Sequence, residues 1–283
     1  MVVFNNEKLE KYTTFKIGGI AEKLYVPQGV DELQQLLKCI TGEERYILSG
    51  GSNLLINDKK IFKNVISLQN VDNSIVDYSD GKFYVGSSVR IQKFINYAKE
   101  KGYGGLEFLY SVPGMLGGLI AMNAGRGEGW NQSISNYIIQ VQGLVNNQVK
   151  TFKKEECNFE YRTSKFIMSD NIIVGAVLQL DKDTPDHIDS LISERMNTVK
   201  ATQERNKANF GSVFSQSNAK IMNIVRKVGL GRKKGVHFSK KTTNWLVNEG
   251  NGTYAEALAL IKIVRILHKL FNKKCTLEIQ IWD

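Results

Sequence analysis

The residue types that could do chemistry sit in four short segments. Gly105–Gly125 (GLEFLYSVPGMLGGLIAMNAG) places five glycines and one proline in 21 residues that are otherwise mostly apolar. Glycine is costly in a regular element, so such a run implies backbone that must approach something closely. Pro113-Gly114 reads as a turn pair, and Gly117-Gly118 opens a small-residue segment ending in Asn123-Ala124-Gly125. Bare N–H groups at a turn leading towards a helix form an anion cradle, although a tight buried turn would use glycine as well. Tyr46–Ile56 (YILSGGSNLLI) is a second loop of this kind, with Gly50, Gly51, Ser52 and Asn53 at its turn and Leu54 opening an apolar strand. Two such loops could bracket a diphosphate from two sides. Neither has G-x-G-x-x-G before a helix, nor P-loop spacing, so a Rossmann or NTPase site is not expected. In Cys157–Phe166 (CNFEYRTSKF) Arg162 lies among aromatics, either as a surface charge stacked on Tyr161 or as a ligand for a carboxylate, which its planar fork suits. Ser212 lies in the turn-like GSVF at 211–214, and Glu278 is a lone acid among Leu277, Ile279 and Ile281.

Positioning these segments takes helices and strands mixed without strict βαβ alternation, an α+β pattern. Residues 12–27 read as two strands about a Gly18-Gly19 turn, and 30–40 as a helix. Strands follow before Gly50 and at 65–68 and 82–85. A helix from 89 to 103 turns Ile91, Phe94, Ile95 and Ala98 to one face. Residues 137–145 and 148–152 read as strands about an Asn146-Asn147 turn, and 171–180 as a long apolar strand. The polar segment 181–186, with Pro185, is the expected boundary: residues 1–182 as one region, split near 70, and 183–283 as a smaller second domain. That domain reads as a helix to about 203, then a helix 218–228 capped by Ser217 with Ile221, Ile224, Val225 and Val228 inward. A strand at 243–248 comes next. Thr253-Tyr-Ala-Glu256 is a capping-box match that opens a helix to about 271, with Leu260, Ile261, Val264, Leu267, Leu270 and Phe271 in the core. Residues 276–282 alternate as a final strand.

Composition bounds the class. The chain has 283 residues, 42% hydrophobic and 10% aromatic, as a globular protein would. No apolar run reaches a membrane span and no signal peptide is visible, so a cytoplasmic protein with no membrane insertion is expected. Cys39, Cys157 and Cys275 read as free thiols, and His187, His237 and His268 show no ligand spacing, so no metal is expected. The net charge of +10 is uneven: residues 184–283 hold 17 Lys+Arg against 8 Asp+Glu. That third expects an anionic partner, a nucleotide diphosphate or nucleic acid. It lacks the aromatic-basic interleaving of a nucleic-acid stacking platform, so no nucleic acid is expected.

LSGGSNLL (48–55), GLEFL (105–109), VPGMLGG (112–118) and MNAG (122–125) closely resemble the UDP-N-acetylenolpyruvoylglucosamine reductase (MurB) family. These are flavoenzymes with an FAD-binding domain of the vanillyl-alcohol-oxidase (PCMH) type followed by a smaller α+β substrate domain. The resemblance runs from YTTFKIGG (12–19) to Glu278. It implies non-covalent FAD held by Gly50, Gly51, Ser52, Asn53, Leu54, Ser111, Pro113, Gly114, Gly117, Gly118, Asn123, Gly125 and Ile173. It also implies NADPH as reductant, a nucleotide-sugar substrate met by Tyr161, Gln216 and Thr242, and a monomer in peptidoglycan synthesis. In the implied reaction, hydride reaches C3 of the enolpyruvyl ether and electron density builds at C2 and the carboxylate. Arg162 and Glu278 would meet that charge, and Ser212 would give its proton to C2.

Departures cluster in the C-terminal third. Ser215-Gln-Ser217 replaces the family's Lys-Asn-Pro, the prolines before the Gly-Ser turn are absent, and Thr242-Thr-Asn-Trp245 stands where His-Ala-Asn-Phe is usual. An alternative is therefore a paralogue reducing another nucleotide-linked sugar acid in surface polysaccharide synthesis. A flavin oxidase of the same fold would often carry a His or Cys for covalent attachment, and neither glycine loop has one.

Overall fold

A computed structural model of the chain describes residues 1–126, 131–167, 169–204 and 206–283. Its contacts form two units interleaved along the sequence. The first is Met1–Phe4, Leu24–Gly50 and Asn64–Val199; the second is Asn5–Lys23, Gly51–Lys63 and Lys200–Asp283. This grouping cuts the chain differently from 1–182 and 183–283. The cause is apolar packing: Phe15, Ile17 and Leu55 sit in the second unit's core, while Ile188 and Ile192 sit in the first's. Among the described residues no helix is long and apolar enough to cross a membrane.

The first unit is built on a five-stranded antiparallel sheet. Its strand order is Gln148–Lys153, Ile138–Val145, Ile172–Gln179, Lys82–Gly86, Ile75–Asp77. The central strand, IIVGAVLQ, is buried at every position but its last, which is why it reads as a continuous apolar run. Asn146 and Asn147 both take positive φ, 48° and 62°, as a two-residue hairpin turn requires. Among the described residues four α-helices start in this unit: α1 (Val30–Cys39), α2 (Ile91–Glu100), α3 (Leu116–Ala121) and α4 (Pro185–Thr202). Helix α2 lays Ile91, Phe94, Ile95 and Ala98 into the cluster that holds Phe83, Val85 and Leu178.

In the second unit, strands Ala208–Ser212, Trp245–Asn248 and Val236–Phe238 form a sheet in that order. Helices α5 (Ala219–Lys227) and α6 (Tyr254–Leu270) follow. Thr253 and Glu256 make the expected capping box on α6. The cap of α5 is Asn218, not Ser217: its Oδ1 accepts from the N–H groups of Lys220 and Ile221 at 3.0 and 3.3 Å. Two core assignments also fail. On α5 the buried residues are Ile221, Met222 and Val225, while Ile224 and Val228 are 49% and 61% exposed. On α6, Leu270 and Phe271 are exposed, and the last inward position goes to His268, which is fully buried. The imidazole earns that place by its polar contacts. Its Nδ1 donates to Val264 O, and its Nε2 accepts from Asn218 N–H, both at 2.8 Å. The final strand is not continuous. Thr276–Leu277 pairs antiparallel with Phe214–Gln216, and Gln280–Trp282 pairs parallel with Leu54–Ile56, so the pairing changes partner at Glu278.

Asn218→Ala should cost about 1 kcal/mol by uncapping α5, whereas Ser217→Ala should stay within about 0.5 kcal/mol; thermal unfolding of the two variants separates the caps. A second outcome concerns acid. Glu249 accepts from Lys207 Nζ and faces His237 Nε2, both at 2.6 Å. These bonds, that of Lys207 first, hold its carboxyl down to about 2 from an ordinary 4.5. The stabilisation is therefore complete above pH about 4.5 and is lost as pH falls towards about 2. Glu249→Gln should flatten stability against pH in that window.

Candidate functional site

Within the first unit the two glycine loops meet. A Cβ built on Gly50 would lie 3.3 Å from the Cα of Gly114, and one on Gly118 would lie 3.2 Å from Ser49 Oγ. The amides of Leu116 and Gly117 are already used, donating to Val89 O and Ser87 O at 2.9 Å. The bare ones lie beside them. The N–H groups of Gly50, Gly114, Met115 and Gly118 make no hydrogen bond to another described residue. Ser87, 2% exposed, has an Oγ with no partner among the described residues, and its Cβ lies 2.9 Å from the Cβ position of Gly117. Bare amides and an unpartnered hydroxyl along a seam too narrow for side chains fit the phosphates of a dinucleotide. These residues would hold FAD. Ser111 Oγ accepts from Arg195 Nε at 3.0 Å, Pro113 is exposed, and the side chain of Ile173 packs in the apolar core.

Arg162 belongs to the same unit. Glu160 and Thr163 exchange backbone hydrogen bonds of 3.1 and 3.3 Å, leaving Tyr161 and Arg162 at the turn. Arg162 has φ 59°, a region that costs an L-residue about 1–2 kcal/mol. Its guanidinium stacks over the exposed Tyr161 ring at 4.9 Å, and Nη2 donates to Gly125 O at 2.7 Å. Asn123 Nδ2 donates to Glu160 O at 2.9 Å, and Ser164 Oγ to Ala121 O at 2.7 Å. The segment from Ala121 to Gly125 is thus stitched to the arginine turn. Cys157, upstream of the arginine turn, is buried, which pushes its thiol up to about 11 and away from nucleophilic use.

The second unit brings Ser212, Glu278 and the Gly51–Leu54 stretch to one place. Val213 N–H donates to Asn244 O at 2.8 Å, and Glu278 N–H donates to Val213 O at 2.9 Å. Asn53 Nδ2 donates to Glu278 O at 2.9 Å, while Gln280 N–H donates to Asn53 O at 3.0 Å. Asn53 is therefore tied to the strand of Glu278. Asn244 holds the other side: its Oδ1 accepts from Phe214 N–H at 3.1 Å and its Nδ2 donates to Phe214 O at 2.7 Å. Nothing in residue type or spacing singles out Asn244, because a clamp on distant backbone leaves no local pattern. Ser212 and Glu278 are half-buried, and Gly211 before the serine has φ 78°. Gly51 (φ 60°) packs on the Tyr12 carbonyl, and the N–H groups of Gly51 and Ser52 have no partner among the described residues. Gln216 is exposed at the end of its strand. Thr242 is half-buried, and its hydroxyl donates to Thr202 O at 2.7 Å.

Two family models match the chain. An FAD binding domain matches residues 21–147, and the C-terminal domain of UDP-N-acetylenolpyruvoylglucosamine reductase matches residues 203–282. A UDP-N-acetylenolpyruvoylglucosamine reductase of Carboxydothermus hydrogenoformans is 30% identical over 99% of this chain and 93% of its own length. One from Geobacter metallireducens is 29% identical over 91% of this chain and 86% of its own length. Among solved structures, the MurB reductase of Thermus caldophilus has the same fold, with TM-score 0.79 and 23% identity over 100% of this chain and 98% of that one.

The cradle can be tested by its two adjacent glycines. Gly51→Ala meets both a left-handed φ and the Tyr12 carbonyl, so it should destabilise by on the order of 3 kcal/mol. Gly50→Ala should cost under about 1.5 kcal/mol yet lower the flavin retained on purification, because the added methyl fills the seam. Thermal unfolding and the ratio of flavin to protein absorbance read the two effects.

Proposed function

The chain belongs to the UDP-N-acetylenolpyruvoylglucosamine reductase family, and from that premise we propose that it reduces UDP-N-acetylglucosamine enolpyruvate to UDP-N-acetylmuramate with NADPH. It is an FAD-dependent oxidoreductase. When bound, FAD supplies the hydride. The observation that carries the reading is the backbone run joining Val213, Glu278 and Asn53, which keeps a hydroxyl, a carboxyl and a glycine loop in register.

Each residue then has a task. Arg162 holds the substrate carboxylate by its fork, where a cation facing developing negative charge in a dry site is worth on the order of 3 kcal/mol. The strained turn supports this role, since a left-handed arginine is retained where glycine would be relaxed. Glu278 is assigned a hydrogen bond to a substrate carboxylate, made when one of the two carries a proton. Ser212 gives its hydroxyl proton to C2 of the former alkene, on the face away from the hydride donor. Tyr161 flanks the arginine as an exposed aromatic surface for the substrate.

A second reading, a paralogue acting on another nucleotide-linked sugar acid, draws on Thr242, whose hydroxyl is taken by Thr202 O. One spectroscopic series decides between them. Purified protein should show flavin absorption that bleaches with anaerobic NADPH and returns on adding UDP-N-acetylglucosamine enolpyruvate. Bleaching without return favours the paralogue; protein that stays colourless with added FAD sinks both. Ser212→Ala should leave the bleaching rate unchanged and slow the return at least about 100-fold. Arg162→Gly should slow it comparably, with little change in melting temperature, because relief of the turn offsets the lost bond to Gly125.

A further inference from the structure

Helix α6 carries a feature that the reductase reading does not use. Its outer face and the following loop form a groove of about 540 Å³ lined by Lys262, Arg265, Lys269, Lys273, Asn272 and Cys275, among others. All of these residues belong to the second unit. We propose that this groove is a binding site for a phosphate-bearing anion, separate from the site that uses Ser212 and Glu278.

Three observations carry it. The first is geometry. Positions 262, 265 and 269 follow helical spacing along one stripe, and the helix end returns Lys273 to it. Asn272, at φ 49°, donates its N–H to Lys269 O at 3.1 Å, and Lys273 N–H donates to His268 O at 2.8 Å. This left-handed stop wraps the chain back over the last turn and fixes the far wall of the groove.

The second is charge. Among the described residues no carboxylate lines the groove, and none of its four cations makes an ion pair. Helix α6 contains a single acid, Glu256, and its carboxylate is taken by the N–H groups of Gly235 and Thr253. Some cations elsewhere in the unit are engaged, Lys207 with Glu249, Arg226 with Lys240 O and Lys241 with Lys200 O, while Arg232, Lys233 and Lys234 are exposed to solvent. A solvated helix face explains a lysine near the C-terminus, where the macrodipole favours it. It does not explain four unpaired cations converging on one concavity, with Lys262 eight residues before the helix end.

The third is chemistry and size. An arginine fork, lysine point charges and a primary amide suit phosphate oxygens. The volume falls in the usual range for small-molecule sites, roughly 300–1,000 Å³. Leu270 and Phe271, 73% and 60% exposed, lie at the end of the same helix. The phosphate could therefore belong to a soluble polyphosphate or to a lipid headgroup.

The test uses the flavin-loaded protein carrying Cys39→Ser, so that alkylation reports on Cys275, since Cys157 is buried. One arm titrates inorganic tripolyphosphate by calorimetry. The other sediments the protein with phosphatidylglycerol vesicles, against phosphatidylcholine vesicles. The expected result is saturable binding in at least one arm, with slowed alkylation of Cys275. Arg265→Gln/Lys269→Gln should weaken it about tenfold or more, while Lys233→Gln/Lys234→Gln, which removes the same charge elsewhere, should change it less than about twofold. Binding in neither arm, equal weakening in both double variants, or unchanged alkylation at saturation would overturn the assignment. Flavin content and reductase turnover are read separately, so failure here leaves the proposed reaction standing.

Discussion

The peptide of Val213 is the constraint on which the placing of Ser212 and Glu278 depends. Its N–H goes to Asn244 O and its carbonyl to Glu278 N–H. A serine on one side of that peptide and a glutamate across from it are therefore set by backbone bonds, which are short and directional. Two asparagines finish the arrangement. Asn244 pairs with both polar groups of Phe214 as a neighbouring strand would, and Asn53 takes the Glu278 carbonyl at the point where the last strand changes partner. A buried backbone group without a partner costs as much as a lost hydrogen bond, so a strand can switch partners only where side chains cover the gap. That requirement explains why Glu278 lies at a break in pairing, half-buried, instead of inside a uniform edge strand.

The first unit solves the opposite problem. Its glycine loops leave amides bare where Gly50 meets Gly114, and a hydroxyl unpartnered at Ser87. Donors of this kind suit an anion with oxygen acceptors, and a ligand that bound only the folded chain there would add to its stability. The cradle is more selective than glycine content suggests. Leu116 and Gly117 spend their amides on Val89 and Ser87, which anchors α3 and leaves only the flanking amides bare.

How much of this was legible depended on the range of the interaction. The Asn146-Asn147 turn, the capping box at Thr253 and the buried strand at 172–179 are local patterns, and all three stand. Ser217 and Asn218 are both good capping residues, and the choice fell to Asn218 because its N–H also meets His268 from α6. Leu270 and Phe271 are exposed at the end of α6, just before the chain turns at left-handed Asn272, so helical spacing alone did not place them in the core.

By itself, the amino-acid sequence determined the α+β class, the two glycine loops, the family resemblance and the identity of Arg162, Ser212 and Glu278 as candidates. Those depend on residue types and near-neighbour spacing, which are written along the chain. Tertiary structure alone decided which amides stay bare, that residues 5–23 and 51–63 pack with the C-terminal third, and that Asn53 and Asn244 hold the glutamate and serine strands. It also decided that three cations of α6 and Lys273 of the following loop share one groove. Each of these joins groups distant in sequence or selects among chemically equal neighbours, and only the packed chain supplies the missing partner.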